Sequence, residues 1–384
     1  MAPTDSWEQW DSRKISRRRL LQLTAGAGVG AMAGVFLAGC GGSGETTPIP
    51  AETTPAGTTA GGTTAAATTA AETTPTETTT VSFALDWVPN TNHTGFYVAD
   101  ARGYYAEEGI KLEILPYNNA SPDTLVGAGQ ANFGISFGTS IPFSVSAGTP
   151  IASVLPITQN PIGALVYLNG GDISRPADLD GKIYAGFGAP YEVPIITQII
   201  KNDGGTGEFE NVTLDTFSYQ AVLSGDADFA WAFTTWEGVE QKMEGNDFGE
   251  IHFADYGFPT WYEVVLMGAT DWMAANPELA TGFIRATKRG FEDVIADPIA
   301  TADILVEANE DSLGESRELA EASSKLLAEN YMLDPEGNFG TQTLENWTNF
   351  PKFLYDNGLL VDHNGDVLTA EPDYASYFTN DYSS

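Results

Sequence analysis

Apolar and polar positions alternate along this chain with two distinct periods, and the period predicts the element. Val81-Ser82-Phe83-Ala84-Leu85 and Lys111-Leu112-Glu113-Ile114-Leu115 alternate at period two and predict strands. Between them, residues 94–102 predict a short helix, so the first unit is a right-handed strand–helix–strand crossover. The pattern repeats: a helix over 122–127, a strand near 131–136, a helix near 141–147 and a strand over 151–156. Lys182-Ile183-Tyr184 predicts another strand, followed by a helix over 194–202. Such alternation predicts an α/β protein with mostly parallel sheets.

The last third changes period. Asn276-Pro277 supplies an N-cap followed by proline at the first helical position. Leu279, Phe283, Ile284, Thr287, Phe291, Val294 and Ile295 then recur at helical spacing and form one core-facing stripe. Further helices are predicted over 298–308, 315–331 and 344–357. They are expected to cover a lobe whose sheet is laid down earlier.

The first eighty residues lack this patterning. Ser16-Arg17-Arg18-Arg19-Leu20-Leu21 opens an uncharged, weakly apolar run that ends at Leu37-Ala38-Gly39-Cys40. Residues 1–40 resemble a twin-arginine export signal with a lipobox, which implies cleavage before Cys40 and a lipid on its sulfur. A permanent membrane helix is the alternative; the Leu-Ala-Gly-Cys ending and the lack of any other Cys favour lipidation. Residues 41–80 are rich in Thr, Ala, Gly, Pro and Glu and contain no aromatic residue, so they have nothing to bury and are expected to be a disordered tether.

Composition narrows the possibilities. The chain has 384 residues, 52 acidic against 17 basic side chains and a formal net charge of −35. Five of the basic residues (Arg13, Lys14, Arg17, Arg18 and Arg19) precede position 20, so the remainder is strongly acidic. That balance excludes a nucleic-acid partner, which needs clustered Lys and Arg. It suits a surface hydrated in concentrated salt, where a Debye length of about 3 Å screens self-repulsion. One Cys excludes an intramolecular disulfide framework and a Cys-rich metal site.

No enzyme signature is present. There is no P-loop and no HExxH, and Gly186-Phe187-Gly188 is too short for a dinucleotide fingerprint. His93, His252 and His363 lack metal-ligand spacing. Neither a metal nor a cofactor is expected. What recurs is an aromatic beside a polar group at the end of a predicted strand: Asp86-Trp87, Phe137 before Gly138-Thr139-Ser140, Tyr191-Glu192, Trp231 to Trp236, and Trp261-Tyr262-Glu263. In open α/β sheets ligands bind outside the carboxyl ends of strands. Several such aromatics fit a flat apolar ligand whose edge needs hydrogen bonds.

The opening Asp86-Trp87-Val88-Pro89-Asn90 with His93-Thr94, then Gly103-Tyr104-Tyr105 and Glu108-Gly109, resembles solute-binding proteins for thiamine pyrimidine precursors. Gly188-Ala189-Pro190-Tyr191-Glu192, Asp255-Tyr256-Gly257-Phe258-Pro259, Glu263, Asn338-Phe339-Gly340 and Trp347 extend the likeness over most of 81–384. The resemblance implies a type II periplasmic-binding-protein fold: two α/β lobes joined by two crossovers, lobe one at 81–168 plus 268–384 and lobe two at 169–267. It implies an ABC permease as partner, membrane attachment through Cys40, a monomer outside the cell, and an aminopyrimidine as cargo. Riboflavin remains an alternative cargo.

Within that family, Trp87 and Phe137 are expected to pack on the ring and Glu263 to accept from its amine. Asn90, Thr139 and Ser140 are expected as further contacts, with Gly188, Tyr191, Glu192, Trp236 and Tyr262 completing the cleft. His93 either meets the ligand or braces the Trp87 loop. The related fungal pyrimidine synthases need a lysine and a histidine where this chain has Ser136 and Ser140, so an enzyme is not expected.

Overall fold

A computed structural model describes residues 78–117, 120–214 and 218–383. The expected export signal, Cys40 and the tether up to residue 77 lie outside the described residues. The last residues assigned to the tether by sequence belong to the fold, since the first strand begins at Thr79.

Ten strands form two five-stranded sheets. The first contains β1 (Thr79–Ala84), β2 (Ile110–Leu115), β3 (Phe133–Phe137), β4 (Ile151–Pro156) and β10 (Val264–Ala269), in the order β2-β1-β3-β10-β4. The second contains β5 (Gly163–Leu168), β6 (Ile183–Gly186), β7 (Glu210–Thr213), β8 (Phe229–Phe233) and β9 (Phe248–Ile251), in the order β7-β6-β8-β5-β9. The two orders have the same form. In each, one strand from across the chain is inserted fourth and runs antiparallel to both neighbours: β10 between β3 and β4, β5 between β8 and β9.

Two expectations are corrected. Each sheet is mixed rather than mostly parallel, because the inserted strands arrive from crossovers between the lobes; hydrophobic period carries no strand direction. Residues 163–168, placed in lobe one by the expected boundary at 168, form β5, which pairs with β8 and β9 in the second sheet. Both inserted strands are almost wholly buried, which is why they read as continuous apolar runs.

The first core is a phenylalanine stack. Phe83 lies 4.0 Å from Phe96 and Phe133 4.2 Å from Phe283, centroid to centroid. Phe283, Ile284, Phe291 and Val294 come from helix Pro277–Ala296, as their spacing predicts. The tail divides, however. Helix Asn346–Asp356 sends Phe350 and Leu354 into the second core beside Trp231, Phe258 and Trp261, so the C-terminal segment does not serve lobe one alone.

Candidate functional site

β3 and β8 hold corresponding places in the two sheets and end on the same residue type. Phe137 and Phe233 are half-buried and face each other across the lobes, with ring centroids 6.1 Å apart and planes 15° from parallel. Their partners on the inserted strands are Val264 and Gly163. Gly163 is small for a reason: a Cβ there would stand 2.3 Å from the Trp231 indole nitrogen. A second contact crosses the lobes, the Thr139 hydroxyl lying 3.4 Å from the Tyr191 hydroxyl. Thr139 is buried and Ser140 half-buried, at the turn preceding helix Ile141–Ser146.

Glu263 precedes β10, in the second crossover. Its backbone carbonyl accepts from Gly138 N–H at 3.0 Å, and its carboxylate accepts from Trp261 Nε1 at 3.2 Å. Gly138 is fixed by close approach, since a Cβ would stand 1.9 Å from the Tyr262 carbonyl oxygen. Burial pushes the Glu263 carboxyl up to about 8, against the downward pull of the Trp261 indole N–H and the Ile162 amide. Ile162 belongs to the other crossover, so this acid sits where the two connections meet. Burial thus favours the neutral acid at this position.

The Trp87 loop is held from beneath. His93 is fully buried; Nδ1 accepts from the Asn90 amide at 3.2 Å, which leaves Nε2 to donate to Asp86 Oδ1 at 2.7 Å. Asn90 is also committed locally, accepting from Asn92 N–H at 2.9 Å and donating to the Val88 carbonyl at 3.1 Å. Of the two roles open to His93, bracing is the one the geometry supports, and Asn90 shares it. Trp87 above them is half-buried and packs on Tyr117 at 5.1 Å. Sequence reading missed Tyr117. It follows β2 directly, so the rule of aromatics at strand ends would have found it.

The profile of the NMT1/THI5-like family matches residues 90–301. A formylaminopyrimidine-binding protein of Halalkalibacterium halodurans is 31% identical over 275 residues, covering 70% of this chain and 82% of that protein. The chain belongs to the NMT1/THI5-like family. More distant members are a 4-amino-5-hydroxymethyl-2-methylpyrimidine phosphate synthase of Uromyces fabae (26% identical, 57% of this chain, 67% of that protein) and the riboflavin-binding protein RibY of Chloroflexus aurantiacus (26%, 79% and 85%). The alkanesulfonate-binding protein of Xanthomonas axonopodis pv. citri shares the fold, with a TM-score of 0.58 at 10% identity, over 74% of this chain and 95% of that one.

Three side chains expected in the cleft of this family member are used elsewhere. Glu192 is buried, and its carboxylate accepts from Tyr184 Oη at 2.5 Å, from Phe187 N–H at 3.0 Å and from Ala189 N–H. It ties down its own loop, in which Gly188 takes φ +94°. Tyr262 is core: it packs on Trp347 at 5.7 Å and its hydroxyl accepts from Thr343 N–H at 3.0 Å. Trp236 turns away to pack against the clusters around Leu305 and Leu319, on helices Pro298–Ala308 and Arg317–Asn330. Tyr191 does reach the cleft side, 5.9 Å from Trp231 and 6.4 Å from Phe143, and burial raises its phenol pKa. Among the described residues no group of three His, Cys, Asp or Glu is arranged to hold a metal.

Proposed function

We propose that this chain is the extracytoplasmic solute-binding lipoprotein of an ABC importer and that its cargo is an aminopyrimidine precursor of thiamine. One observation carries the reading: a buried carboxyl, raised to about 8, lies at the crossover between two lobes whose strand ends present aromatic rings. An aminopyrimidine has two flat faces and an edge on which an exocyclic N–H lies beside a bare ring nitrogen. A neutral carboxylic acid matches that edge with two hydrogen bonds. Its carbonyl accepts from the amine while its O–H donates to the ring nitrogen. Trp87, Tyr117, Phe137 and Phe233 supply the faces, each stacked ring contributing about 1–3 kcal/mol.

Capture is the whole task in this reading. The ligand favours the closed pairing of lobes, and the closed form is what a permease receives. The resemblance implies that Ser136 and Ser140 replace a lysine and a histidine of the synthases, which supports binding over chemistry. Export by a twin-arginine signal, a lipid on Cys40 and a salt-adapted monomer complete the proposal.

Calorimetry with the purified chain tests it. Saturable binding of a formylated or hydroxymethylated aminopyrimidine, and none of riboflavin, is the expected result. Riboflavin binding without aminopyrimidine binding overturns the choice of cargo.

A further inference from the structure

The outer face of the second sheet carries a cavity of ≈ 210 Å³ that is separate from the cleft. It lies between β5, β8 and β9 and the turn that follows β8. That turn, Thr234–Gly238, is π-helical before the chain continues as helix Val239–Met243. Extra turns of this kind recur at functional sites, because the additional residue re-aims a side chain. Glu237 lies within this turn.

The hydrogen bonds around the cavity single Glu237 out. Tyr219 donates to Glu240, Asn246 to Gln241, and Asn169 to Asp247; Glu250 pairs with His252 at 3.1 Å. Glu237 Oε2, sealed at the cavity wall, has no partner. A carboxylate oxygen buried without a donor costs about 1–3 kcal/mol or more, and native proteins rarely keep one without use. Burial raises the Glu237 carboxyl to about 8, against the downward pull of hydrogen bonds from the backbone at Glu237 and Phe233 and with the Glu240 charge adding to the rise. The second oxygen of Glu250 lies on the same wall, 3.7 Å from where a Cβ on Gly238 would be. The lining residues include three acids, Glu237, Asp247 and Glu250, and one base, Lys242.

We propose that this cavity is a second binding site, for a small organic cation of the ammonium or guanidinium class, with Glu237 as its floor, giving up its proton to solvent as the cation enters, and Glu250 as its second carboxylate. The terminal torsion of a glutamate is soft, so a small rotation turns Oε2 into the space. The incoming N–H groups then provide the donor that Oε2 lacks, as charge-assisted bonds. The cavity volume accommodates a guanidinium or an alkylammonium head.

The test is calorimetry on the full chain with methylguanidinium and methylammonium at fixed ionic strength, with sodium as the control cation. The expected result is saturable binding of at least one organic probe over sodium. Glu237→Gln should weaken it by about tenfold or more, roughly the loss of one charge-assisted bond, and Glu250→Gln should weaken it less. Affinity for the cleft's aminopyrimidine should be the same in all three proteins. Wild-type chain with no saturable heat overturns the proposal, as does a folded Glu237→Gln that binds the probe like wild type. If Glu237→Gln does not fold, Glu250→Gln decides alone: unchanged probe affinity in that variant overturns the proposal.

Discussion

His93 donates from Nε2 to Asp86 across 2.7 Å while its other ring nitrogen receives the Asn90 amide. The two residues bracket the Trp87 turn and fix the direction in which the indole leaves β1. His93→Ala leaves Asp86 and the Asn90 amide without their buried partner, at about 1–3 kcal/mol of stability. We expect a lower melting temperature together with weaker ligand binding. Equal affinity in a destabilised variant would separate the brace from the site and count against this role.

Trp87 itself should behave differently. It is half-buried and packs on Tyr117, so Trp87→Ala is expected to remove little core. A lost stacking partner of about 1–3 kcal/mol predicts an affinity loss of about tenfold or more with a nearly unchanged melting temperature. Tyr117→Ala should reproduce the effect in weaker form. Calorimetry paired with thermal melts distinguishes the two outcomes, and a large fall in melting temperature for Trp87→Ala would mark the indole as structural.

Glu192 makes the reverse case. Its oxygens hold Tyr184 Oη and two loop amides. Glu192→Ala strands all three donors in a buried site and should cost about 3 kcal/mol of stability. Any effect on binding should follow from the disordered loop. A Glu192→Ala protein with wild-type melting behaviour and no ligand binding would return this acid to the cleft.

Two buried acids give stability a pH dependence whose sign is fixed. Glu263 and Glu237 are raised from 4.5 to about 8 by burial. Between those values the unfolded chain has released protons that the folded chain retains. Their contribution is therefore full below about pH 4.5 and is lost as pH rises through about 8. Melts of wild type against Glu263→Gln across that window should show a shallower decline in the variant. Ligand affinity should fall above about pH 8 as Glu263 loses the proton it donates, and flat affinity from pH 6 to 9 would sink the neutral-acid pairing.

Trp236 joins the second lobe to helices Pro298–Ala308 and Arg317–Asn330, and Val239 meets Leu319 and Ala322 beside it. Trp236→Ala loosens this apolar contact without touching Phe137 or Phe233. Small-angle scattering of the unliganded variant should show a more expanded chain than wild type, and ligand should restore compaction. Identical profiles for variant and wild type without ligand would show that this contact does not bias closure.

The sequence by itself determined the elements and the outline of the site. Strand and helix positions follow from apolar spacing, as with Phe283, Ile284 and Phe291 along helix Pro277–Ala296, because burial of one face dictates a period. Trp87 and Phe137 stood out because an aromatic at a strand's end has no core periodicity to explain it. Only the tertiary structure decided strand order and direction, since period two is the same for a parallel and an antiparallel neighbour, and β5 therefore changed lobes. It also decided what Glu192, Tyr262, Trp236 and Glu263 do. A carboxylate's partners and protonation depend on depth and on residues such as Ile162 and Trp261 that the folded path brings to it, and a local pattern contains neither.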